Sequence, residues 1–210
     1  TLALYCGPGE VTARITARAA APEEAEARMQ PVYEEILRRV GEACYGEGVN
    51  RTPADAVLEL LKNRGETVTF AESCTGGLLC GAFVDCAGAS DCLKESFVTY
   101  ANEAKEQMLG VKSETLARCG AVSGECAREM ALGAARAAGA DWAVSVTGIA
   151  GPGGGTAEKP VGTVCFAVSD ANGTVTETAH FSRKSDRAKV RRLSTARALM
   201  LVIRRLEGKI

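Results

Sequence analysis

The chain has 210 residues, of which 46% are apolar and 24% are charged. These proportions are typical of a folded globular protein and exclude general disorder, because enough apolar surface is present to offset the entropy lost on folding. The formal net charge of −1 provides no overall basic field for nucleic acid, although a local basic patch stays open.

The cysteine and histidine contents indicate a reducing compartment and no metal centre of the usual kind. Nine cysteines form no CxxC pair, so most are predicted to be small buried hydrophobic residues. The single histidine, His180, excludes a histidine-rich metal site, and no apolar run approaches the roughly 20 residues that span a bilayer. We therefore expect a cytoplasmic protein without metal, cofactor or membrane segment. Because the chain starts at Thr1, close to a strand-like run, we also expect a fragment of a longer protein.

Residues 1–48 predict a small ββα piece. Two strand-like segments, Leu2–Tyr5 and Glu10–Thr16, flank a Gly-Pro-Gly turn. Pro22 then opens a helix that runs to about Cys44, with acidic residues in its first turn and an apolar stripe at helical spacing. We place a domain boundary after Gly48, so that residues 49–210 form a second domain.

From residue 49 onward, predicted helices alternate with predicted strands. The first helix has Thr52 as N-cap, Pro53 at its first position and Gly65 at its end. Strands are expected around residues 68–70, 97–100, 142–146, 161–168 and 174–181, and a long helix from Ser185. This order predicts the α/β class, with a three-layer α/β/α arrangement, a mostly parallel mixed sheet of about five strands and the small N-terminal ββα piece.

Three polar segments follow predicted strands, and ligands in such sheets bind beyond the carboxyl ends of the strands. These segments are Ser73–Gly77, Tyr100–Lys105 and Thr147–Gly155. In the first, free N–H groups at a helix start, together with the hydroxyls of Ser73 and Thr75, would bind an anion. The alternative is that a hydroxyl only caps the helix while the glycines pack against the sheet. The third is either a flexible connection or a loop that covers a ligand.

Lys105 is the candidate general base for hydrolysis of an acyl bond. A serine–histidine pair is not expected, because His180 falls in the predicted edge hairpin, away from the glycine-rich segments. Lys105 follows a strand end in the first turn of a helix, whose positive end would lower its pKa. Tyr100 would orient it or donate to an oxyanion. The alternative is a surface lysine paired with Glu103 or Glu106.

Two further segments complete the candidates. Ser90 lies on a short loop before the second strand and is a possible nucleophile as well as a possible cap. The basic run Ser182–Arg187 opens the last helix, where free N–H groups and positive side chains favour a phosphate. Its alternative interpretation is a solvated basic face.

Several motifs together resemble the competence/damage-inducible CinA family over about residues 50–210. They are Ala71-Glu72-Ser73-Cys74-Thr75-Gly76-Gly77, Tyr100-Ala101-Asn102-Glu103-Ala104-Lys105, Gly120-Ala121-Val122-Ser123, the run from Thr147 to Gly155, and Glu158-Lys159-Pro160-Val161-Gly162-Thr163-Val164. The ββα piece is similar to the end of the linker domain in full-length CinA proteins. The resemblance implies a fragment that lacks an N-terminal nucleotide-binding domain.

The resemblance implies a nicotinamide-nucleotide amidase, which converts nicotinamide mononucleotide and water to nicotinic acid mononucleotide and ammonia. A serine–lysine pair would do the chemistry without a cofactor. Lys105 matches the lysine, and Ser90 and Ser73 both match family positions; Ser90 is favoured as nucleophile, with Ser73 as a second hydroxyl. The expected substrate contacts are Tyr100 and Thr147 along the pocket, Arg187 on the 5′-phosphate, Thr75 as a hydroxyl donor, and Gly76, Gly151 and Gly153 as points of close backbone approach.

Two other classes of function remain open at this point. One is a nucleotide-binding sensor without catalysis, and the other is an interaction module for competence or recombination proteins. The expected partner is a small pyridine nucleotide, with no nucleic acid and no membrane, and we expect self-association into a homo-oligomer.

Overall fold

The computed structural model describes residues 1–7, 9–48, 50–182 and 185–210. The chain divides into two compact units, Thr1–Gly46 and Glu47–Ile210. We call them the first and second unit.

The first unit is a ββα piece. β1 (Leu2–Gly7) pairs antiparallel with β2 (Glu10–Ile15), and α1 (Pro22–Val40) begins with the proline that the sequence indicated. In α1, whose residues are all described, no side chain is fully buried. Leu4 and Val11 of the hairpin are also exposed, so this unit has little core of its own.

The second unit contains five strands and six helices in its described part. In chain order they are α2 (Pro53–Arg64), β3 (Val68–Glu72), α3 (Leu78–Val84), β4 (Leu93–Val98), α4 (Asn102–Leu109), α5 (Ser113–Cys119), α6 (Gly124–Ala138), β5 (Trp142–Gly148), β6 (Thr163–Asp170), β7 (Gly173–His180) and α7 (Arg187–Leu206). The start of α2 is a capping box in which the Thr52 hydroxyl and the Asp55 carboxylate each accept the other's backbone N–H. Gly65 ends this helix in the left-handed conformation.

The strands form one mixed sheet in the order β4-β3-β5-β6-β7. β3 pairs parallel with β4 and with β5, whereas β6 is antiparallel to both of its neighbours. Four of the five strands therefore run in one direction, and the mixed sheet predicted from the sequence is confirmed. The three parallel strands place their carboxyl ends side by side at one edge.

Helices cover both faces of this sheet. Phe70 of β3 meets Phe83 of α3 edge to face, with ring centroids 5.4 Å apart, and α7 packs against α2 and α3 on that face. The next residue, Ala71, packs with Met130 of α6 in a core cluster on the other face. The three-layer arrangement follows from this alternation, because successive side chains of a strand point to opposite faces.

Among the helices that the structure describes, none is both long and apolar enough to cross a membrane.

Candidate functional site

The candidate site is built on the carboxyl ends of the three parallel strands. Glu72 pairs with Val98 of β4 on one side and with Val146 of β5 on the other, and the next backbone hydrogen bonds continue this register. The following position in each strand therefore falls in one row across the sheet. That row is Thr99, Ser73 and Thr147, all of them buried.

All three hydroxyl residues belong to the face covered by α4 and α6. Ala71 packs on that face, and Glu72 points to the opposite one, where it meets the start of α3. By strand alternation Ser73 faces α4 and α6 again. The Thr147 hydroxyl donates to the Ala121 carbonyl just before α6, at 2.8 Å. The row thus presents three hydroxyls about one strand spacing apart.

Lys105 of α4 reaches the middle of this row. Its Nζ lies 3.2 Å from the Ser73 Oγ and donates to the carbonyls of Thr99 at 2.8 Å and Tyr100 at 3.1 Å. Only 1% of Lys105 is exposed, so the surface-lysine alternative is wrong. The pKa of Lys105 lies below its ordinary value, chiefly because burial disfavours the charged amine.

The three oxygen neighbours define what each protonation state of Lys105 can do. An ammonium has three N–H donors, and three oxygens are present to accept them. A neutral amine has two N–H donors and one lone pair. The carbonyls of Thr99 and Tyr100 can only accept, so they take both hydrogens and the lone pair is left for the Ser73 hydroxyl. In neutral Lys105 the lone pair of the amine therefore faces the Ser73 hydroxyl and can accept its proton.

Ser90 lies far from this lysine, and the preference for Ser90 as nucleophile is corrected. Ser90 sits in a short 3-10 helix, Ala89–Asp91, that precedes β4, and it is exposed. Lys105 follows the other end of the same strand. The six residues of β4 separate them by roughly 20 Å at about 3.3 Å per residue, so the structure brings Ser73 to Lys105 and leaves Ser90 at the opposite end of β4.

The free helix start expected after Ser73 is also corrected. The buried Glu72 carboxylate accepts the N–H groups of Gly77 and Leu79, each at 3.0 Å, and of Cys80 at 2.8 Å. An internal carboxylate thus occupies the beginning of α3, where an anionic ligand was expected. Glu72 also ties the end of β3 to the turn and fixes the position of Ser73.

Cys74 does not compete with Ser73 as a nucleophile. Burial raises the pKa of its thiol to about 12, and the reactive form of cysteine is the thiolate. Ser73 is therefore the nucleophile candidate in this segment.

Thr75 and Gly76 lie between the site and α7. Arg191 donates to the carbonyls of Cys74 and Thr75, and the buried Thr75 hydroxyl has no partner among the described residues. Gly76 has a φ of +58°, and a Cβ there would lie 3.3 Å from the Arg191 guanidinium. The turn geometry and Arg191 therefore account for Gly76, with no need for an approaching ligand.

Arg187, Tyr100 and Gly151 meet at the outer side of the site. Arg187 donates to the Gly151 carbonyl and to the Tyr100 hydroxyl, both at 2.9 Å. Tyr100 is 61% exposed, and it contacts Lys105 through its backbone carbonyl rather than its phenol. Asp186 caps α7 by accepting the N–H of Lys189, so part of that helix start is already filled. Arg183 and Lys184 lie outside the described residues.

The glycine-rich loop after β5 is held in place by its own contacts. Gly151 has a φ of +85°, and a Cβ there would come within 2.6 Å of Val161, so this glycine is required by the loop itself. Gly153 is exposed with open space around it, which leaves close approach to a ligand as an expectation. Lys159 anchors the loop by donating to the Cys119 carbonyl at the end of α5.

His180 takes no part in this arrangement. It lies at the end of the edge strand β7 and contacts the Thr163 hydroxyl through Nδ1 at 3.2 Å. Within the part of the chain that the structure describes, no group of three or more His, Cys, Asp or Glu side chains is placed to hold a metal ion.

Three residues near the site were not found by sequence reasoning: Thr99, Glu72 and Arg191. A charged residue at the end of the strand-like segment Val68–Ala71 was a signal for Glu72, because a carboxylate there must be paired to be buried. Thr99 carried the weaker signal of a hydroxyl next to Tyr100. Arg191 had none, because its neighbours Arg187 and Arg192 made one basic face in the sequence.

Comparisons with known proteins agree on one family. The family model described as the CinA C-terminal domain matches residues 50–206, and the model described as the damage-inducible protein CinA KH domain matches residues 1–46. A CinA-like protein of Kosmotoga olearia is 46% identical over 206 residues, which are 98% of this chain and 49% of that protein. One from Synechococcus sp. is 41% identical over 199 residues, or 95% of this chain and 47% of that protein. The chain spans about half the length of these curated relatives.

Solved structures are similar to about three quarters of the chain. The competence/damage inducible protein CihA from Agrobacterium tumefaciens has a TM-score of 0.69 and 40% identity, covering 77% of this chain and 99% of that one. A competence-damaged protein (CinA) superfamily protein from Klebsiella pneumoniae has a TM-score of 0.71 and 36% identity, covering 74% and 96%.

Proposed function

Because the chain belongs to the CinA family, we propose that its second unit hydrolyses the amide of nicotinamide mononucleotide to nicotinic acid mononucleotide and ammonia. One observation supports this more than any other: the buried Lys105 amine lies 3.2 Å from the Ser73 hydroxyl. A serine and a lysine with a lowered pKa are sufficient for acyl transfer, since the lysine can take and return the serine proton.

In the proposed first step, the Ser73 oxygen attacks the amide carbon while neutral Lys105 takes the hydroxyl proton. A C–O bond forms, and the π pair of the carbonyl moves to its oxygen. When this pair returns, the C–N bond breaks, and Lys105 passes its proton to the departing nitrogen, which leaves as ammonia. The products of this step are an ester on Ser73 and neutral Lys105.

In the second step, water replaces the nitrogen. Lys105 takes a proton from water as the water oxygen attacks the ester carbon, and it returns that proton to the Ser73 oxygen when the ester bond breaks. The carboxylic acid leaves and the pair is restored. Lys105 is thus the general base of both attacks and the general acid of both departures.

Arg187 is the proposed group for the 5′-phosphate. Its guanidinium lies at the outer side of the site, and its present partners are neutral oxygens of Gly151 and Tyr100. A phosphate oxygen forms stronger, charge-assisted hydrogen bonds with arginine than a neutral oxygen does. Exchange of these partners on binding is therefore favourable, and Tyr100 stays beside the phosphate.

Ammonia release from nicotinamide mononucleotide tests this function. The wild type should release ammonia, and Ser73→Ala and Lys105→Met should each lose about 10³-fold or more in kcat. Ser90→Ala and Lys112→Met replace exposed residues of the same types and should keep wild-type rates. Nucleotide binding without ammonia release by the wild type would instead identify a sensor, and full activity in Ser73→Ala would refute the proposed nucleophile.

A further inference from the structure

Arg191 of α7 fixes two peptide units of the segment that follows Ser73. Its Nε donates to the Cys74 carbonyl at 3.1 Å, and its Nη2 donates to the Thr75 carbonyl at 2.6 Å. α7 packs on the face of the sheet that carries α2 and α3, so both carbonyls point toward that face. The C=O and the following N–H of a planar trans peptide point in opposite directions. The Thr75 N–H therefore points toward the other face, to which Ser73 and Lys105 belong.

The Thr75 amide has no acceptor in the surrounding segment. The N–H groups of Ser73, Gly76 and residues 77–80 donate to backbone carbonyls or to Glu72. Within the described residues, the Thr75 amide donates to none, and its fully buried hydroxyl has no partner either. A buried donor without a partner is destabilising. Two such donors on Thr75 therefore indicate that they meet an acceptor when substrate is bound.

From this placement we infer that the Thr75 N–H and hydroxyl stabilise the oxygen of the tetrahedral intermediate formed on Ser73, and that Arg191 is the positioning residue that aims them. The inference deepens the proposed amidase function and rests on it. When the Ser73 oxygen bonds to the amide carbon, the π pair becomes a negative charge on the carbonyl oxygen. The Thr75 donors, two residues along the chain from the nucleophile, hold that charge until the pair returns and the C–N bond breaks.

Arg191 thus differs in role from Arg187 on the same helix. Arg187 contacts the outer loop and is placed for the phosphate, so its loss should raise KM. Arg191 donates through Nε and Nη2 to two backbone carbonyls, so these contacts direct its guanidinium to the turn after Ser73. Its loss would leave substrate binding intact while the Thr75 peptide turns away, so that kcat falls. A purely structural residue would not select between the two parameters.

The test compares nicotinamide mononucleotide with its thioamide analogue, in which sulfur replaces the amide oxygen. Sulfur accepts hydrogen bonds poorly, so the ratio of oxygen to sulfur kcat measures donation to that atom. Arg191→Met should lower kcat for the amide about 10²-fold, with KM within about twofold, and should reduce the ratio about tenfold. Arg192→Met removes the adjacent exposed arginine and should change neither. Thr75→Val should reduce the ratio as well, whereas Thr75→Ser keeps the hydroxyl and should preserve it.

The outcomes separate this inference from the proposed function. An inactive wild type would overturn both, because the inference depends on that chemistry. With an active wild type, an unchanged ratio in Arg191→Met and in Thr75→Val would overturn the inference alone. Equal losses with the amide and the thioamide would also overturn it, since they would report a structural defect. If circular dichroism shows that Arg191→Met does not fold, the comparison of Thr75→Val with Thr75→Ser gives the same decision without disturbing α7.

Discussion

At the residue scale, burial sets the acid–base chemistry of Lys105. Its pKa is lowered mainly by desolvation, and the nearby Glu103 carboxylate opposes this by favouring the charged amine. Since only the neutral form can accept the Ser73 proton, kcat/KM should rise with pH as Lys105 loses its proton, with a midpoint below the ordinary value of 10.5. Glu103→Gln removes the opposing charge and should move that midpoint to lower pH.

The pH profile of ammonia release checks this prediction. Glu114→Gln neutralises an exposed glutamate at the start of α5 and serves as the matched control. If Glu103→Gln leaves the midpoint where Glu114→Gln leaves it, the Glu103 charge does not act on the titrating base.

The same pKa shift has a consequence for stability: the cost of the buried ammonium is fully present below the folded-state pKa of Lys105 and is lost as pH rises from that pKa toward 10.5. Wild type should therefore gain free energy of unfolding relative to Lys105→Met as pH increases.

The proposed contact between Arg187 and the 5′-phosphate can be tested by substitution. Arg187→Met should raise KM for nicotinamide mononucleotide about tenfold or more, because charge-assisted hydrogen bonds to the phosphate are lost, and should change kcat little. Nicotinamide riboside lacks the phosphate, so its kcat/KM should be the same in wild type and variant. Steady-state kinetics with both substrates measure this. A similar loss with the riboside would show that Arg187 acts on something other than the phosphate.

At the element scale, the start of α3 depends on a charge supplied by the preceding strand. Glu72 accepts three backbone N–H groups, and the amide of Gln would place donors against donors. Glu72→Gln should lower the free energy of unfolding by about 2–4 kcal/mol and displace Ser73. Urea denaturation measures the loss, and Glu95→Gln, at an exposed position of β4, should stay within about 0.5 kcal/mol of wild type. Equal stability of the two variants would show that the Glu72 charge is not needed.

The ends of several helices could be predicted from the sequence. Thr52, Pro53 and Gly65 marked α2 because capping and turn preferences are local. The start of α3 was misjudged for the opposite reason: the group that fills it precedes the turn and lies on a strand. Local patterns locate where a helix begins, whereas the partner of its free N–H groups depends on how the strand enters the turn.

At the scale of the whole molecule, the candidate site lies entirely within the second unit. Residues 47–210 contain the row of Thr99, Ser73 and Thr147 as well as Lys105, Arg187 and Arg191. This unit also holds the buried core. The solved Agrobacterium protein is covered over 99% of its length by 77% of this chain, about the share that the second unit occupies. We therefore expect residues 47–210 alone to fold and to keep kcat/KM within about threefold of the 210-residue chain.

Thermal unfolding and ammonia release of the shortened and full chains measure this expectation. A cooperative transition with retained activity would place all necessary groups in the second unit. A folded but inactive second unit would show that the first unit supplies something to the reaction. The expected homo-oligomer stays a prediction that sedimentation of both chains addresses.

The sequence by itself determined the class of fold and the family, and it singled out Lys105 as a candidate base, because strand–helix alternation, cap residues and contiguous motifs are properties of neighbouring positions. Only the tertiary structure showed that Ser73, and not Ser90, lies beside Lys105. Both serines stand beside a strand, and their distance from Lys105 depends on which end of the strand each one occupies. The pairing register of the strands places Thr99, Ser73 and Thr147 in one row across the sheet. The packing of α7 gives Arg187 and Arg191 different neighbours. These are relations between residues far apart in the chain, which local chemistry does not encode.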